Sequence, residues 1–154
     1  MNFSGRLRLE EAGTDQASGR TRWQLLEDLE YEVFPGHKIV VPKGFVTDFA
    51  SVPRWIGVGS LPDYITNRLP GWATYIGIPL WSIFPPSGKW NRAAVLHDYL
   101  YSVAVPWCSR WLADAMFRDA MYRLGVPLWR RWCMWMAVRL FGSVSAWKSN
   151  GTRG

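Results

Sequence analysis

Short runs rich in β-forming residues occupy the first third of the chain, and apolar runs with helical spacing occupy the last third. Four of the short runs predict strands: Trp23 to Leu26, Glu30 to Phe34, Lys38 to Val41 and Phe45 to Thr47. Pro35-Gly36-His37 and Pro42-Lys43-Gly44 separate the later strands as turns, because proline and glycine supply the dihedral angles that turns require. The pattern predicts a small antiparallel β-sheet.

Three helices are predicted after the sheet. The first runs from Lys89 to Ser102 and ends at a break, Val103 to Cys108, which contains a proline. The second starts near Ser109, a residue type that caps helix N-termini, and the third runs from Pro127 to Gly142. The predicted fold is therefore α+β: a small N-terminal antiparallel β-sheet followed by a three-helix C-terminal part.

Apolar residues surround most of the last predicted helix, with Trp129, Trp132 and Trp135 among them. A helix that is apolar on all sides is usually buried, so burial is the favoured interpretation. The alternative is an interfacial helix, since Arg130 and Arg131 beside tryptophan also suit anionic lipid headgroups.

The remaining segments divide the chain into three parts. Residues 1–20, polar and glycine-bearing in their second half, predict a flexible arm or loop, residues 21–142 a single globular domain, and residues 143–154 a tail. Between sheet and helices, Leu69 to Pro86 is apolar and rich in tryptophan and proline. Its prolines and glycines disfavour a membrane-spanning helix. We expect a loop that caps the core, docks on a partner protein or enters a lipid interface.

The size and charge of the chain limit the classes of partner that it is expected to bind. A chain of 154 residues suits one domain with a substantial core. Eighteen Lys and Arg residues against 12 Asp and Glu give a net charge of +6, so an anionic partner is expected. Nucleic acid is less favoured than a membrane surface or an acidic protein, because the basic residues are scattered and no helix-turn-helix or finger motif is present.

The N-terminal sequence and the cysteines indicate the cellular compartment. Met1 to Glu11 lacks the apolar core of a secretory signal peptide, so we expect the product to stay in the cytoplasm of the cell that makes it. Cys108 and Cys133 then predict reduced, buried thiols instead of a disulfide. Action outside the cell would require lysis or packaging in a virion.

One of the two histidines, His97, lies beside a carboxylate in the middle of the first predicted helix. His97 and Tyr101 are four residues apart and share a helix face, with Asp98 at its edge. Because two helices with a short connection pack antiparallel, Asp114 in the second helix can reach back to His97. A carboxylate on one imidazole nitrogen fixes the tautomer and prepares the other nitrogen to act as a general base.

A structural role for the same residues remains the alternative. The histidine would then be a core residue, and Asp114 would pair with Arg110 or Arg118, each one turn away on the same helix. In the functional interpretation, by contrast, Asp98 binds a hard cation through oxygen. Asp48, which follows the last strand, either caps a turn or supplies a second metal oxygen.

Four motifs follow one another along the chain: Val41 to Arg54 (VPKGFVTDFASVPR), Ala93 to Tyr101 (AAVLHDYLY), Ser109-Arg110 with Ala113-Asp114 and Phe117, and Leu124 to Pro127 (LGVP). In this order they resemble a family of small bacteriophage and prophage proteins of unknown function. The resemblance covers most of Tyr31 to Gly142. It implies a phage origin and an association with virion proteins, but no established activity.

The His-Asp-x-x-Tyr pattern of the first helix, with an aspartate on the next, is similar to the active site of secreted phospholipase A2 and of the lipase domain in parvovirus capsids. The resemblance implies that His97 is the general base, that Tyr101 and Asp114 orient it, and that Asp98 binds calcium. The glycine-rich calcium loop of those enzymes has no clear counterpart in this chain. Asp48 is the candidate to replace it.

The resemblance implies hydrolysis of a lipid ester by water that His97 activates, with calcium holding the substrate phosphate and polarising the carbonyl group. Candidate contacts to an anionic substrate or surface are Arg54, Arg110, Trp129, Arg130 and Arg131. One alternative is a non-enzymatic virion or tail component in which the His-Asp cluster is structural. Another is a metal-dependent hydrolase of cell wall or peptide, for which the single histidine of the motif supplies few zinc ligands.

Overall fold

The structure is a computed structural model that describes residues 3–16, 21–49, 55–57, 70, 77–79, 88–103 and 108–141. Within these ranges the strands are β1 (Phe3–Ser4), β2 (Leu9–Thr14), β3 (Thr21–Leu25), β4 (Leu29–Phe34), β5 (His37–Val41), β6 (Val46–Thr47), β7 (Trp55–Gly57) and β8 (Gly77–Pro79). The helices that follow are α1 (Asn91–Ser102), α2 (Arg110–Arg123) and α3 (Leu128–Phe141). Strands followed by three helices confirm the predicted α+β fold.

The described strands form two small antiparallel sheets and one further pair, where the sequence predicts a single sheet. The first sheet has the order β1-β4-β5, the second has the order β2-β3-β6, and β7 pairs with β8. In the first sheet Leu29 and Tyr31 of β4 are buried, as are Ile39 and Val41 of β5. This alternation follows the two-residue period of a strand. Because α1 packs against β5 and β6, the helical part covers the buried face.

The first 20 residues contain two strands, so the predicted loop or arm is wrong for Phe3–Ser4 and Leu9–Thr14. β1 pairs with β4, and β2 pairs with β3. Phe3 is buried, with its ring centre 4.7 Å from that of Tyr31, whereas nearly all of β2 is exposed. β2 is held by backbone pairing more than by burial. An outer strand of this kind carries polar residues and resembles a loop in composition.

Part of the predicted tryptophan- and proline-rich loop is also a strand. Gly77–Pro79 pairs with Trp55–Gly57, and Ile78 lies opposite Ile56. The two segments are distant in the chain, so a local pattern does not reveal their pairing. Apart from Pro70, the rest of the predicted loop lies outside the described residues, as does the predicted tail at 143–154.

The main core lies between the first sheet and the helices. Residues 93–97 of α1 form an unbroken buried run, because α1 packs against β5 and β6 as well as against α2. Ser109 caps α2 as predicted: its side-chain oxygen accepts a hydrogen bond from the Leu112 N–H at 3.2 Å. Gly125, with φ of 70°, ends the helix in the left-handed conformation that glycine favours. These local signals place the short connections between the helices.

The last helix is not buried on all sides, contrary to the prediction. Met134, Ala137 and Val138 are buried, but Trp129 and Trp132 are exposed. α3 packs mainly on α2, and one neighbour covers only one side of a helix that is apolar around most of its circumference. None of the described helices is long and apolar enough to cross a membrane.

Both cysteines are free thiols, as predicted. Cys108 is buried, and burial raises the pKa of its thiol. Cys133 is exposed on α3, so the prediction of burial is wrong for this residue. The reason is again that α2 covers only one side of α3.

Candidate functional site

His97 and Asp114 form a buried pair between α1 and α2. Nε2 of His97 lies 2.8 Å from Oδ1 of Asp114, and the Tyr101 hydroxyl donates to the same oxygen at 2.6 Å. His97 is 3% exposed and Asp114 is 0% exposed. Further along α1, the Tyr101 hydroxyl accepts a hydrogen bond from Nε of Arg110, at the start of α2. Residues late in α1 thus meet residues early in α2, as the antiparallel prediction requires, and the predicted contact between Asp114 and His97 is present.

Asp114 stays ionised although it is fully buried. Burial by itself would raise the pKa of its carboxyl group, but hydrogen bonds from His97, Tyr101 and Arg139 outweigh burial and hold the pKa below its usual value. Arg139 donates through Nη1 to Oδ2 at 3.0 Å. Because an ionised carboxylate only accepts hydrogen bonds, Nε2 of His97 carries the hydrogen of their shared bond. In the neutral imidazole the lone pair then lies on Nδ1, the nitrogen that can take a proton.

Arg139 is a member of the site that the sequence did not predict. The sequence suggests Arg110 or Arg118 as the cationic partner of Asp114, because each is one turn away. The ion pair in the structure is instead with Arg139, in the last turn of α3, and Arg118 lies over two tryptophan rings of α3. A basic residue in the last turn of the last helix was the available signal. It becomes informative only when α3 is known to pack on α2.

Arg110 connects α3 to the site. Its Nη2 donates to the backbone oxygens of Val138 and Arg139 at 3.3 and 3.0 Å. These oxygens belong to the last turn of α3, where carbonyl groups lack a donor within the helix and a cation is favoured by the helix dipole. Arg110, which the sequence suggests as a ligand-binding residue, directs these donors into the protein. The contacts position Arg139 next to Asp114.

Two aromatic rings flank the imidazole of His97. The ring centres of Tyr101 and Phe117 lie 4.2 and 4.9 Å from that of His97. Burial above all, and then the hydrogen bond to Asp114, raises the pKa of Tyr101 above its ordinary value, so its hydroxyl stays protonated and donates. The rings and the bond to Asp114 together hold the imidazole in one orientation.

Asp98 is bound by a sheet residue that the sequence did not identify. The buried hydroxyl of Thr47 donates to Oδ2 of Asp98 at 2.5 Å and accepts from the Phe49 N–H at 3.2 Å. Phe49 has φ of 53°, which is uncommon for a residue with a side chain. The bond brings Asp98 next to the turn that contains Asp48, which is half-buried. A polar residue at the end of β6 was the only local sign of this contact.

Asp98 and Asp48 are the residues that would hold calcium, and by themselves they supply too few oxygen ligands for the ion. No group of three or more His, Cys, Asp or Glu side chains among the described residues is arranged to hold a metal ion, whereas Ca²⁺ takes about six to eight oxygen ligands. One oxygen of Asp98 also accepts the hydrogen bond from Thr47. An assay with calcium and with a chelator decides whether calcium takes part in the reaction.

The other predicted binding residues lie apart from the His-Asp pair. Trp129 and Arg130 occupy the first turn of α3, roughly 14–15 Å along the helix axis from Arg139. The guanidinium of Arg130 lies 5.0 Å from a ring centre of Trp129, and that of Arg131 lies 4.8 Å from a tyrosine ring of α2. These residues belong to a second surface, at the other end of α3. Arg54 lies outside the described residues.

The fold and the site define an α+β protein in which a buried His-Asp pair lies between the first two of three helices. A family model with the description "Protein of unknown function (DUF1353)" matches residues 23–64 and 74–138. The match covers more than half of the chain and includes all of α1 and α2, so the chain belongs to this family. No curated protein and no solved structure matches the chain.

The lowered pKa of Asp114 predicts a pH dependence of stability. A carboxyl group with a lower pKa in the folded than in the unfolded state stabilises the fold above its unfolded pKa, about 4. This contribution is lost as the pH falls through the lower folded pKa. We expect the free energy of unfolding to fall more steeply below about pH 4 for the native protein than for Asp114→Asn. The difference in the free energy of unfolding between the two proteins therefore becomes smaller at acid pH.

Urea denaturation of both proteins across the acid range measures this effect. Glu30 does not confuse the comparison, although its hydrogen bonds with Lys38 and Ser4 lower its pKa, because these contacts are present in both proteins. Parallel pH profiles of the two proteins would show that the partners of Asp114 do not lower its pKa in the folded state.

Proposed function

We propose that the chain is a phage-derived hydrolase that cleaves a lipid ester with a phospholipase A2-like His-Asp pair. The observation that carries the proposal is the shared acceptor, Oδ1 of Asp114, which binds Nε2 of His97 and the hydroxyl of Tyr101 at 2.8 and 2.6 Å. These contacts agree with the roles that the resemblance to phospholipase A2 implies for the three residues. The order of motifs shared with phage and prophage proteins supports the phage origin.

The proposed reaction begins with a water molecule at Nδ1 of His97. Nδ1 removes a proton while the water oxygen attacks the carbonyl carbon of the ester, which gives a tetrahedral intermediate. Asp114 stays ionised and stabilises the imidazolium, while Tyr101 and Arg139 hold Asp114 in place. The imidazolium then gives the proton to the leaving alkoxide as the ester C–O bond breaks. The products are a fatty acid and an alcohol.

Release of fatty acid from vesicles of phosphatidylcholine and phosphatidylglycerol tests this proposal. His97→Gln removes the general base and should lower the rate about 10²–10⁴-fold, the usual contribution of such a group. His37→Gln is the matched control, because His37 is the other histidine of the chain and is exposed. Its rate should equal that of the native protein. Assays with calcium and with a chelator show whether the reaction depends on a metal ion.

The burial of the pair favours a second candidate function. His97 and Asp114 are almost completely buried, and their network joins α1, α2 and α3, which a structural polar core would also explain. The chain would then be a non-enzymatic virion or tail component. If no vesicle composition yields fatty acid, with or without calcium, and His97→Gln is folded but less stable, the hydrolase is contradicted and the structural role is supported.

A further inference from the structure

An apolar row runs along the outward side of α3. It consists of Leu128, Trp129, Trp132 and Met136, termed the α3 stripe, and the exposed fractions of these side chains lie between 43% and 61%. Their spacing of i, i+1, i+4 and i+8 keeps the four side chains on one helix face. A row of large apolar side chains on a protein surface usually marks an interaction site.

Arginine side chains lie against the α3 stripe. The guanidinium of Arg130 lies 5.0 Å from a ring centre of Trp129, and that of Arg118 lies 4.7 Å from a ring centre of Trp132. α3 itself contains no Asp or Glu. The surface therefore combines half-exposed tryptophan with positive charge that its own helix does not neutralise.

A groove of about 340 Å³ lies between α2 and α3, beside the α3 stripe. Its charged lining residues are Arg118, Asp119 and Arg131. The carboxylate of Asp119 already accepts hydrogen bonds from Tyr31 and Arg123. The guanidinium groups of Arg118 and Arg131 lie over aromatic rings and are the two cationic groups of the lining, which suits an anionic group such as a phosphate ester.

An anionic bilayer fits this surface better than a second copy of the chain. Two copies would bring arginine-bearing stripes together, and like charges across an interface repel. Tryptophan is favoured at the membrane interface, and a cationic helix with an apolar face lies in the plane of an anionic bilayer. α3 is roughly 21 Å long, shorter than a bilayer core of about 30 Å, so it would lie along the surface.

We propose that the α3 stripe docks the protein on an anionic phospholipid bilayer, with a lipid phosphate in the groove lined by Arg118 and Arg131. Docking would hold the protein at a surface of ester-containing lipid. A role of docking in catalysis rests on the proposed function. Binding to the bilayer does not require hydrolysis. The two proposals can therefore be tested separately.

Co-sedimentation of the full chain with vesicles of ether-linked phosphatidylglycerol, which has no ester to cleave, measures the docking. We expect binding to these vesicles, little binding to ether-linked phosphatidylcholine, and weaker binding at high salt. The double variant Arg118→Gln/Arg131→Gln should bind more than about tenfold less tightly, since each basic residue at an anionic surface contributes roughly fivefold. Trp129→Gln should also bind less tightly, because it removes an interfacial indole.

Matched controls separate the α3 stripe from general effects of composition. Phe34→Gln is the control for Trp129→Gln, because both aromatic residues are 53% exposed. Arg6→Gln/Arg8→Gln removes the same charge as the arginine double variant, at exposed positions after β1. Both controls should bind like the native protein. Equal binding by the α3 stripe variants and the native protein would overturn the proposal.

Other results would contradict one of the two proposals, docking or hydrolysis, without bearing on the other. A dimer that Trp129→Gln dissociates, in a protein that does not bind anionic vesicles, would assign the α3 stripe to a second copy. If the protein hydrolyses a soluble short-chain ester but does not bind vesicles, the hydrolase proposal is supported and the docking proposal is contradicted. If the native protein and His97→Gln bind vesicles equally well and neither releases fatty acid from ester lipid, the docking proposal is supported and the hydrolase proposal is contradicted.

Discussion

Replacing Asp114 with alanine is expected to lower the free energy of unfolding by about 3–5 kcal/mol, the cost of removing one partner from a buried ion pair. The carboxylate is fully buried and accepts hydrogen bonds from His97, Tyr101 and Arg139. Alanine would leave these donors without their acceptor. Because the Arg139 side chain is 35% exposed, water replaces part of the lost bonding, and we expect the lower half of this range. Urea denaturation followed by circular dichroism measures the change.

Asp119→Ala is the matched control on the same helix. Asp119 also accepts hydrogen bonds from a tyrosine and an arginine, Tyr31 and Arg123, but its side chain is 43% exposed. Its loss should therefore cost only about 1–2 kcal/mol. Asp114→Asn, which keeps the volume of the side chain, should lie between the native protein and Asp114→Ala. A loss below about 1 kcal/mol for Asp114→Ala would show that this network does not hold the three helices together.

Truncation of Phe117 to alanine should lower the free energy of unfolding by about 3–5 kcal/mol. The side chain is fully buried, and its ring centre lies 4.9 Å from that of His97. The variant loses the transfer free energy of the ring and gains a cavity beside the imidazole. In the proposed hydrolase the cavity would also let the imidazole turn away from Asp114. Urea denaturation measures the first effect, and fatty-acid release from the folded variant measures the second.

Two further variants serve as controls for Phe117→Ala. Trp111→Ala removes a larger ring from the same helix, but Trp111 is 63% exposed, so its effect should stay within about 0.5 kcal/mol. Phe117→Leu keeps most of the buried volume and should cost less than half as much as Phe117→Ala. Equal losses for Trp111→Ala and Phe117→Ala would contradict the assignment of buried and exposed faces on α2.

α3 takes part in both proposals. Its last turn supplies Arg139 to Asp114, and Arg110 binds the carbonyl oxygens of the same turn. Its first turns carry the α3 stripe on the outward face. A helix with these two contacts links a surface that would meet lipid to the carboxylate that orients His97.

Local patterns were sufficient for the helices and for the centre of the site. The four-residue spacing of His97 and Tyr101 places both on one helix face, and the Ser109 cap marks the start of α2. A short connection between helices leaves antiparallel packing as the simple arrangement. The contact of Asp114 with His97 follows from these features, because each depends on residues close together in the chain.

Contacts between distant segments decided the rest. The pairing of β1 with β4, the pairing of β7 with β8 and the bond from Thr47 to Asp98 all join parts of the chain that no local pattern relates. Arg139 reaches Asp114 only because α3 packs on α2, and Trp129 is exposed because no other described element packs as closely on that helix. A sequence pattern shows which side chains are apolar and which share a face, whereas the tertiary packing determines which distant element covers them.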